Sequence, residues 1–472
     1  MPFSRQVTQG LILLNAVFTS VLYGADGEAS GPIQPLTQRA PIASEEIPST
    51  PRPNPAIPTP PTGNPATSGD SFWGQDTLTG DWKGLRKKLE DDGFKVTPTY
   101  TALVIGNPSG GARQGVVSDG LVNLALDFDL EKMTAGDVDG LIIHANALYL
   151  YGPSLSKEDV GDLSGTTSIS GYNTIRLQEL WLEKSFLNQR LSIRIGNMAV
   201  DNEFFQSPSS ALFVNNTFVD FALFGDNIIN APLFPVASPG VRLKLMPTSN
   251  TYVMAGVYGM DNSSNQAAAN QNGTRFALTA SSGILIMSEA GYLLNQAPNE
   301  KGLQGTYRVG SFVHTANYDT WGSQAEAANG TGALKSGGAN YGVYGLVDQQ
   351  LFSRDARSVS IFFLAGGAPS NVNLVDWYMD GGFNFTGFVP GRENDVAGLA
   401  FAHSDVGSNY SDSQVLQGNA PYTSESFIET TYKIQVAPWW SIQPDVQYYF
   451  NPSGQQGSPD AVVLGLSTNV TF

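Results

Sequence analysis

Cysteine is absent from this 472-residue chain, so disulfide frameworks and thiolate metal sites are excluded. Charge is scarce as well: Asp, Glu, Lys and Arg make up 14% of the residues, against roughly 25% in soluble domains. Bases are the scarcer sign, 25 against 42 acids, for a net charge of −17 and a pI near 4.5. A nucleic-acid partner needs clustered Lys and Arg and is excluded on that ground. Past the N-terminus there is no apolar run of the ~18 residues a membrane-spanning helix requires. Histidine occurs three times, at His144, His314 and His403, with no local serine motif and no His/Asp spacing that suggests catalysis. No enzyme activity and no cofactor are expected. What is plentiful is glycine (51) and aromatic side chains (25 Phe, 18 Tyr, 7 Trp). At a mean hydropathy of −0.12, that mix suits an outer face against lipid and a wet interior.

Residues 1–24 read as a secretory signal, with Arg5 as the positive region and Leu11 to Leu22 as the apolar stretch. Cleavage is placed after Leu22-Tyr23-Gly24 or after Gly27-Glu28-Ala29. Removing Arg5 and no acid takes the charge to about −18. Residues 25–71 are rich in Pro, Ser, Thr and Ala, lack apolar periodicity and read as an extended linker. Trp82 to Asp92 follows Thr79 and Asp81 and ends at Gly93, the signature of one short helix inside a segment spanning 72–93.

From 94 to 472 the pattern has a period of two. Val462, Leu464, Leu466, Thr468, Val470 and Phe472 alternate with Val463, Gly465, Ser467, Asn469 and Thr471. Val122, Leu124, Leu126, Phe128 and Leu130 alternate with Asn123, Ala125, Asp127 and Asp129. Such dyads are strands with one apolar and one polar face. Sixteen are expected: 94–105, 121–131, 140–151, 174–186, 190–197, 239–247, 251–259, 283–295, 304–315, 339–352, 357–367, 374–387, 394–404, 423–437, 440–451 and 460–472. Their length matches the ~9–11 residues that cross a bilayer rather than the ~5–6 of soluble sheets.

The connections point the same way. Those after odd-numbered strands are mostly long (106–120, 152–173, 198–238, 260–282, 316–338, 405–422). Those after even-numbered strands are mostly short (187–189, 248–250, 353–356, 438–439). Long loops on one side and tight turns on the other mark an all-β transmembrane antiparallel barrel of the bacterial outer membrane, with both ends on the periplasmic side. Closure also removes the sheet edges that lipid does not tolerate. Outer-membrane lipid is then a partner, and the terminal Phe472 is the expected signal to the outer-membrane assembly machinery.

Several stretches resemble one family. Trp73-Gly74 with Leu78-Thr79-Gly80-Asp81-Trp82, and Gly84-Leu85-Arg86 with Leu89-Glu90, are similar to the N-terminal motif of carbohydrate-selective porins of the OprB type. Leu191 to Asn197 with Asn202, Glu203, Phe204 and Phe205 resembles its strand leading into a long inward loop. Pro390-Gly391-Arg392 with Asp395 resembles its pore-side PGR-x-x-D motif, and Pro438 to Tyr449 with Asn451-Pro452 its penultimate strand. Lys83 stands where the family pattern has glycine. The resemblance implies a sixteen-stranded channel for passive sugar diffusion, and a preference for sugars comes from it alone.

A sugar channel needs a constriction, hydrogen-bonding groups that replace hydration water, and aromatic faces for the rings, all binding weakly enough to release the solute. Alternation turns Lys95, Asp127, Asp129, Arg194, Arg242, Lys244, Arg308, Glu429, Lys433 and Asp445 into the lumen, because a charge on the lipid face costs roughly 2–4 kcal/mol. Arg194, Arg242 and Lys244 flank the longest loop and are the leading pore candidates. Arg308, Arg392, Glu429 and Asp445 complete the lining set. The alternative for each is that lumen charges simply pair with one another. In loop 198–238, Asp201, Asn202 and Glu203 are candidates to bond hydroxyls, and Phe204 and its neighbouring rings to stack on them. Packing of those rings on the barrel wall or a neighbouring subunit is the competing reading. The acids from Glu158 to Asp162 suit a solvated loop better than a metal site. A general or ion-selective porin and a non-conducting structural barrel stay open beside the sugar channel, as does a monomer or a trimer. A plugged 22-strand transporter does not fit in some 400 residues.

Overall fold

The computed structural model describes residues 72–472 except 261–269, 277, 279–281 and 298–299. The signal and linker readings therefore lie outside the described residues. Sixteen strands form one closed sheet: β1 Phe94–Ser109, β2 Gly115–Asp129, β3 Leu141–Tyr151, β4 Thr174–Phe186, β5 Leu191–Met198, β6 Ser238–Thr248, β7 Thr251–Gly259, β8 Ile284–Leu294, β9 Gly305–Asp319, β10 Ser336–Arg354, β11 Arg357–Gly367, β12 Val375–Thr386, β13 Val396–Val406, β14 Ser424–Ala437, β15 Trp440–Phe450 and β16 Ala461–Thr471. Each pairs antiparallel with its sequence neighbours, and β1 closes on β16 from Thr99↔Thr471 to Ser109↔Val462. No strand is left with an unpaired edge, the condition for a sheet in lipid.

The pleat explains the two surfaces. On β5 and β6, Ile195, Val241 and Leu243 point outward and are exposed, while Arg194 and Arg242 between them are buried inside. The same alternation recurs on β15, where Val446 and Tyr448 are exposed and Asp445, Gln447 and Tyr449 are buried. The outer face is thus apolar and the inner face carries the charge.

Two local expectations are corrected. The first long connection, 106–120, is mostly strand: the β1–β2 ladder runs on to Asn107↔Gly115. Asn107, Pro108, Ser109 and the two glycines have loop composition, but the Asn107 side chain stitches the hairpin. Its Nδ2 donates to the carbonyls of Gly110 (3.1 Å) and Arg113 (2.7 Å), and its Oδ1 accepts from the Gly115 N–H (3.0 Å). The N-terminal helix is also shorter than its apolar spacing suggests. Trp82 and Lys83 have positive φ and form a 3-10 turn with Gly84; the α-helix runs only from Leu85 to Asp91.

That N-terminal segment is tied to the far end of the chain. The Leu78 N–H donates to the Thr471 carbonyl (2.8 Å) and Arg86 Nη2 to the Phe472 carbonyl (2.7 Å). Trp73 stacks on Trp439 at 5.9 Å, and Trp439 on Trp440 at 6.0 Å. Both ends of the barrel meet on the side of the short turns. On the opposite side the long connections carry short helices, of which Trp321–Ala328 and Ser408–Leu416 meet through Trp321 and Tyr410.

Candidate functional site

β5 is the shortest strand, 8 residues, and the chain leaves the wall at Met198 and returns at Ser238. Inside the barrel its backbone N–H groups need acceptors, since unpaired buried donors are costly. Wall carboxylates supply them. Glu289 on β8 accepts from the Phe205 N–H (2.8 Å), and Glu429 on β14 from Val214 (2.6 Å) and Asn215 (3.2 Å). Ser207 donates to Asp348 on β10 (2.6 Å). Asn215 Nδ2 reaches Gln447 (3.1 Å) and Tyr449 (2.6 Å) on β15, and Asn227 Nδ2 the Val375 carbonyl on β12 (2.6 Å). Segment 199–237 therefore spans from β5 to strands on the far wall.

Its rings do not face a passage. Phe204 is 0% exposed and meets Tyr258 edge-on at 6.4 Å. Phe205 packs on Phe221 (4.9 Å), Phe213 on Phe362 (5.5 Å), Phe218 on Phe427 (5.5 Å) and Phe224 on Phe312 (5.1 Å). The expectation that Phe204 and its neighbours offer stacking faces is corrected. Burying each ring is worth roughly 1.5–3 kcal/mol, and a loop with this many rings uses them as a dry wedge against β9–β14.

On the other flank of the loop four charges form a closed ring. Glu183 Oε2 accepts from Arg194 Nε and from Arg242 Nη2, both at 2.7 Å. Glu203, from the loop, makes ion pairs with Arg194 Nη1 and Arg242 Nε, both at 2.5 Å. Arg194 and Arg242 are direct cross-strand neighbours, a repulsive placement that the two interleaved carboxylates reverse. Burial opposes ionisation of Glu203, but Arg194, Arg242 and Lys244 outweigh it and hold its carboxyl at about 2. Side-chain exposure separates the members: Arg242 is sealed at 3%, whereas Glu183 (18%), Glu203 (12%) and Arg194 (10%) each keep an open edge. Behind the ring the Arg194 guanidinium lies 3.6 Å over Trp181, which stacks on His144 at 4.7 Å. His144 Nδ1 meets Asp127 at 2.7 Å. Trp181 is buried between its neighbours and is a support, not a platform.

The remaining candidates divide. Lys244 stands 5.0 Å from the Tyr252 ring, beside the charge ring. Arg308 forms a second network, with Asp348 (2.9 Å) and the Tyr252 hydroxyl (3.1 Å). Glu429 is committed to the loop, and Asp445 accepts from Gln447 Nε2 (2.9 Å). Asp201 is buried and accepts from the Phe234 N–H (3.0 Å); burial pushes its carboxyl up to about 7, against that bond and with the Glu179 charge. Asn202 closes the 3-10 turn Val200–Asn202, its Nδ2 buried without a partner. Arg392 lies outside the strands. It sits in the short connection between β12 and β13, where Asp395 pairs with it (2.8 Å) and also accepts from Tyr432 and the Gln435 N–H. Glu158 and Asp159 pair with Arg113 (3.2 and 2.6 Å).

A third group is acidic. Asp226 and Asp220 on the inner loop, and Asp162 on connection 152–173, feel one another or Glu425 on β14. Burial, then Glu425, pushes Asp162 up to about 7. Burial, then Glu425 and Asp162, pushes Asp226 up to about 8.

The model of the carbohydrate-selective porins, OprB family, matches residues 113–472. The chain belongs to this porin family. Porin B of Pseudomonas aeruginosa is 24% identical over 439 residues, 86% of this chain and 93% of that protein. The high-pH structure of Pseudomonas putida OprB superposes with a TM-score of 0.78 at 23% identity, covering 85% of this chain and 100% of that one. The low-pH structure of the same protein gives 0.54 at 19% identity, over 84% and 99%. The chain is an outer-membrane porin, a channel rather than an enzyme.

Four residues of this porin's networks escape sequence reasoning: Glu183, Trp181, Glu289 and Asp348. Glu183 has a physical reason. Strict alternation from the buried Arg176 turns position 183 outward. A bulge resets it: Asn146 opposes Glu179 while Ala147 opposes Leu177, so Gln178 is the extra residue. Glu289 and Asp348 alternate inward without any such break, and the signal that finds them is the same parity that found Arg308.

Proposed function

We propose that this porin passes small, uncharged carbohydrates by passive diffusion, past a constriction made by the inner loop and the Arg194–Glu203–Arg242–Glu183 ring. The observation that carries this reading is the ring's composition. Its two positive and two negative groups cancel, so it offers fixed donors and acceptors without a net charge to hold an ion. A polyhydroxylated solute can exchange hydration water for the open edges of Glu183, Glu203 and Arg194 and leave again. With Trp181 and the loop rings buried, recognition rests on hydrogen bonding and not on ring stacking. Phe472, tied to Pro98 and Arg86, is proposed as the mark read by the assembly machinery.

Proteoliposome swelling tests the reading. Glucose is expected to enter faster than an uncharged polyether of equal hydrodynamic size, and Glu183→Gln to narrow that difference. Equal rates for the two solutes would overturn it. Asp162, Asp220 and Asp226 favour a second reading, a cation-selective general porin. A reversal potential that strongly favours cations, with no discrimination among neutral solutes, would support that one instead.

A further inference from the structure

A cavity of about 70 Å³ with a mixed polar and apolar lining lies on the short-turn side of the inner loop, between residues 211–214 of that loop, residues 167–169 of connection 152–173, and the wall formed by β1, β14, β15 and β16. That is room for several water-sized polar groups. Its polar wall is Thr101, Lys433, Ser441, Gln443, Ser467 and Asn469. Lys433 is the only charged residue lining it, and among the described residues its ammonium has no ion pair or hydrogen bond. This separates it from Arg194, Arg242 and Arg308, which are all neutralised by carboxylates.

The acids on the same inner face are already engaged. Glu429 accepts from the Val214 and Asn215 N–H groups, and Asp445 accepts from Gln447. The amides around Lys433 are held in place: Gln443 Nε2 donates to the Leu212 carbonyl (2.8 Å) and to Thr431 (2.9 Å), and Asn469 Nδ2 to Thr101 (2.7 Å). Their carbonyl oxygens and the hydroxyls of Ser441 and Ser467 remain as partners for a solute. A lone ammonium among hydroxyls and amides, with no acid lining the space, matches a small molecule that carries one carboxylate and several hydroxyl groups.

We propose that this cavity is a second solute subsite, distinct from the charge ring, that takes hydroxylated carboxylates such as sugar acids, with Lys433 binding the carboxylate. The subsite is built from wall residues and needs no conduction to bind, so it is tested by a route separate from the neutral-sugar reading. The experiment is calorimetric titration of the detergent-solubilised full chain with gluconate, glucose and acetate. Gluconate is expected to bind more tightly than either comparison solute. Lys433→Gln should lower gluconate affinity by about tenfold or more, as loss of a charged hydrogen bond does, with Lys433→Arg retaining most of it. Lys433→Gln should leave the glucose discrimination in the swelling assay unchanged, which also reports that the barrel is folded. Gluconate affinity equal in Lys433→Gln and the parent would overturn the proposal. So would acetate binding as tightly as gluconate, or no gluconate binding at all. Loss of glucose discrimination alongside intact gluconate binding would count against the neutral-sugar reading alone.

Discussion

Glu203 is the residue on which the charge ring turns, because it is the one member supplied by the loop. Replacing it with Gln leaves Arg194 and Arg242 sharing Glu183 alone. Breaking a buried pair by removing one partner costs about 3–5 kcal/mol. Glu203→Gln is expected to lower stability in denaturant by an amount of that order and to shift the reversal potential toward anions. An unchanged reversal potential would show that the ring does not lie on the permeation path. The loop acids make a separate prediction. Asp162 and Asp201 sit at about 7 and Asp226 at about 8, above the ordinary 3.8, so the folded chain holds these protons more tightly than the unfolded chain does. Their stabilising contribution is complete below about pH 4 and is lost as pH rises through 7 to 8. Over the same rise the carboxyls gain charge. Cation selectivity should therefore climb between about pH 6 and pH 9, and Asp226→Asn should flatten the upper part of that climb. A selectivity independent of pH in the parent would contradict the assignment.

Among the elements, the hairpin joining β1 and β2 has little tolerance at Gly110. Its φ is +74°, and a Cβ there would fall 1.6 Å from the Asp460 carbonyl oxygen. Gly110→Ala should cost about 1–3 kcal/mol through strain and displacement of the 451–460 connection, seen as a lower unfolding midpoint. The connection holding Arg392 has the opposite character. Arg392→Ala removes a turn staple and should leave single-channel conductance unchanged while lowering thermal stability by up to about 1 kcal/mol. A changed conductance would place Arg392 at the pore. These elements also show what a sequence displays. Period-two runs such as 461–471 are plain because every residue reports its own face. The bulge at Gln178 is invisible because one inserted residue leaves the composition unchanged and reverses only the parity. Asn107 was concealed by loop-forming neighbours whose effect its side-chain bonds override.

At the scale of the molecule, closure of the barrel and the covering of its lumen have different origins. Closure follows from sixteen alternating strands and the alternation of long and short connections, all local patterns, and so it is legible in advance. The loop's position is not, because it rests on pairs such as Val214 with Glu429, 215 positions apart. Its apolar composition signals burial, but whether a ring is to serve a solute or the wall is decided by the facing strands. The same holds for the charges: Arg194 and Arg242 are readable as inward, while their neutralisation by Glu183 and Glu203 is a property of the assembled barrel. The most direct test of the account is the single-channel conductance of the refolded protein in a planar bilayer, with glucose titrated in. An open channel is expected, with conductance that falls saturably at millimolar glucose and a half-blocking concentration that Glu203→Gln shifts. A steady conductance at every glucose concentration would contradict it.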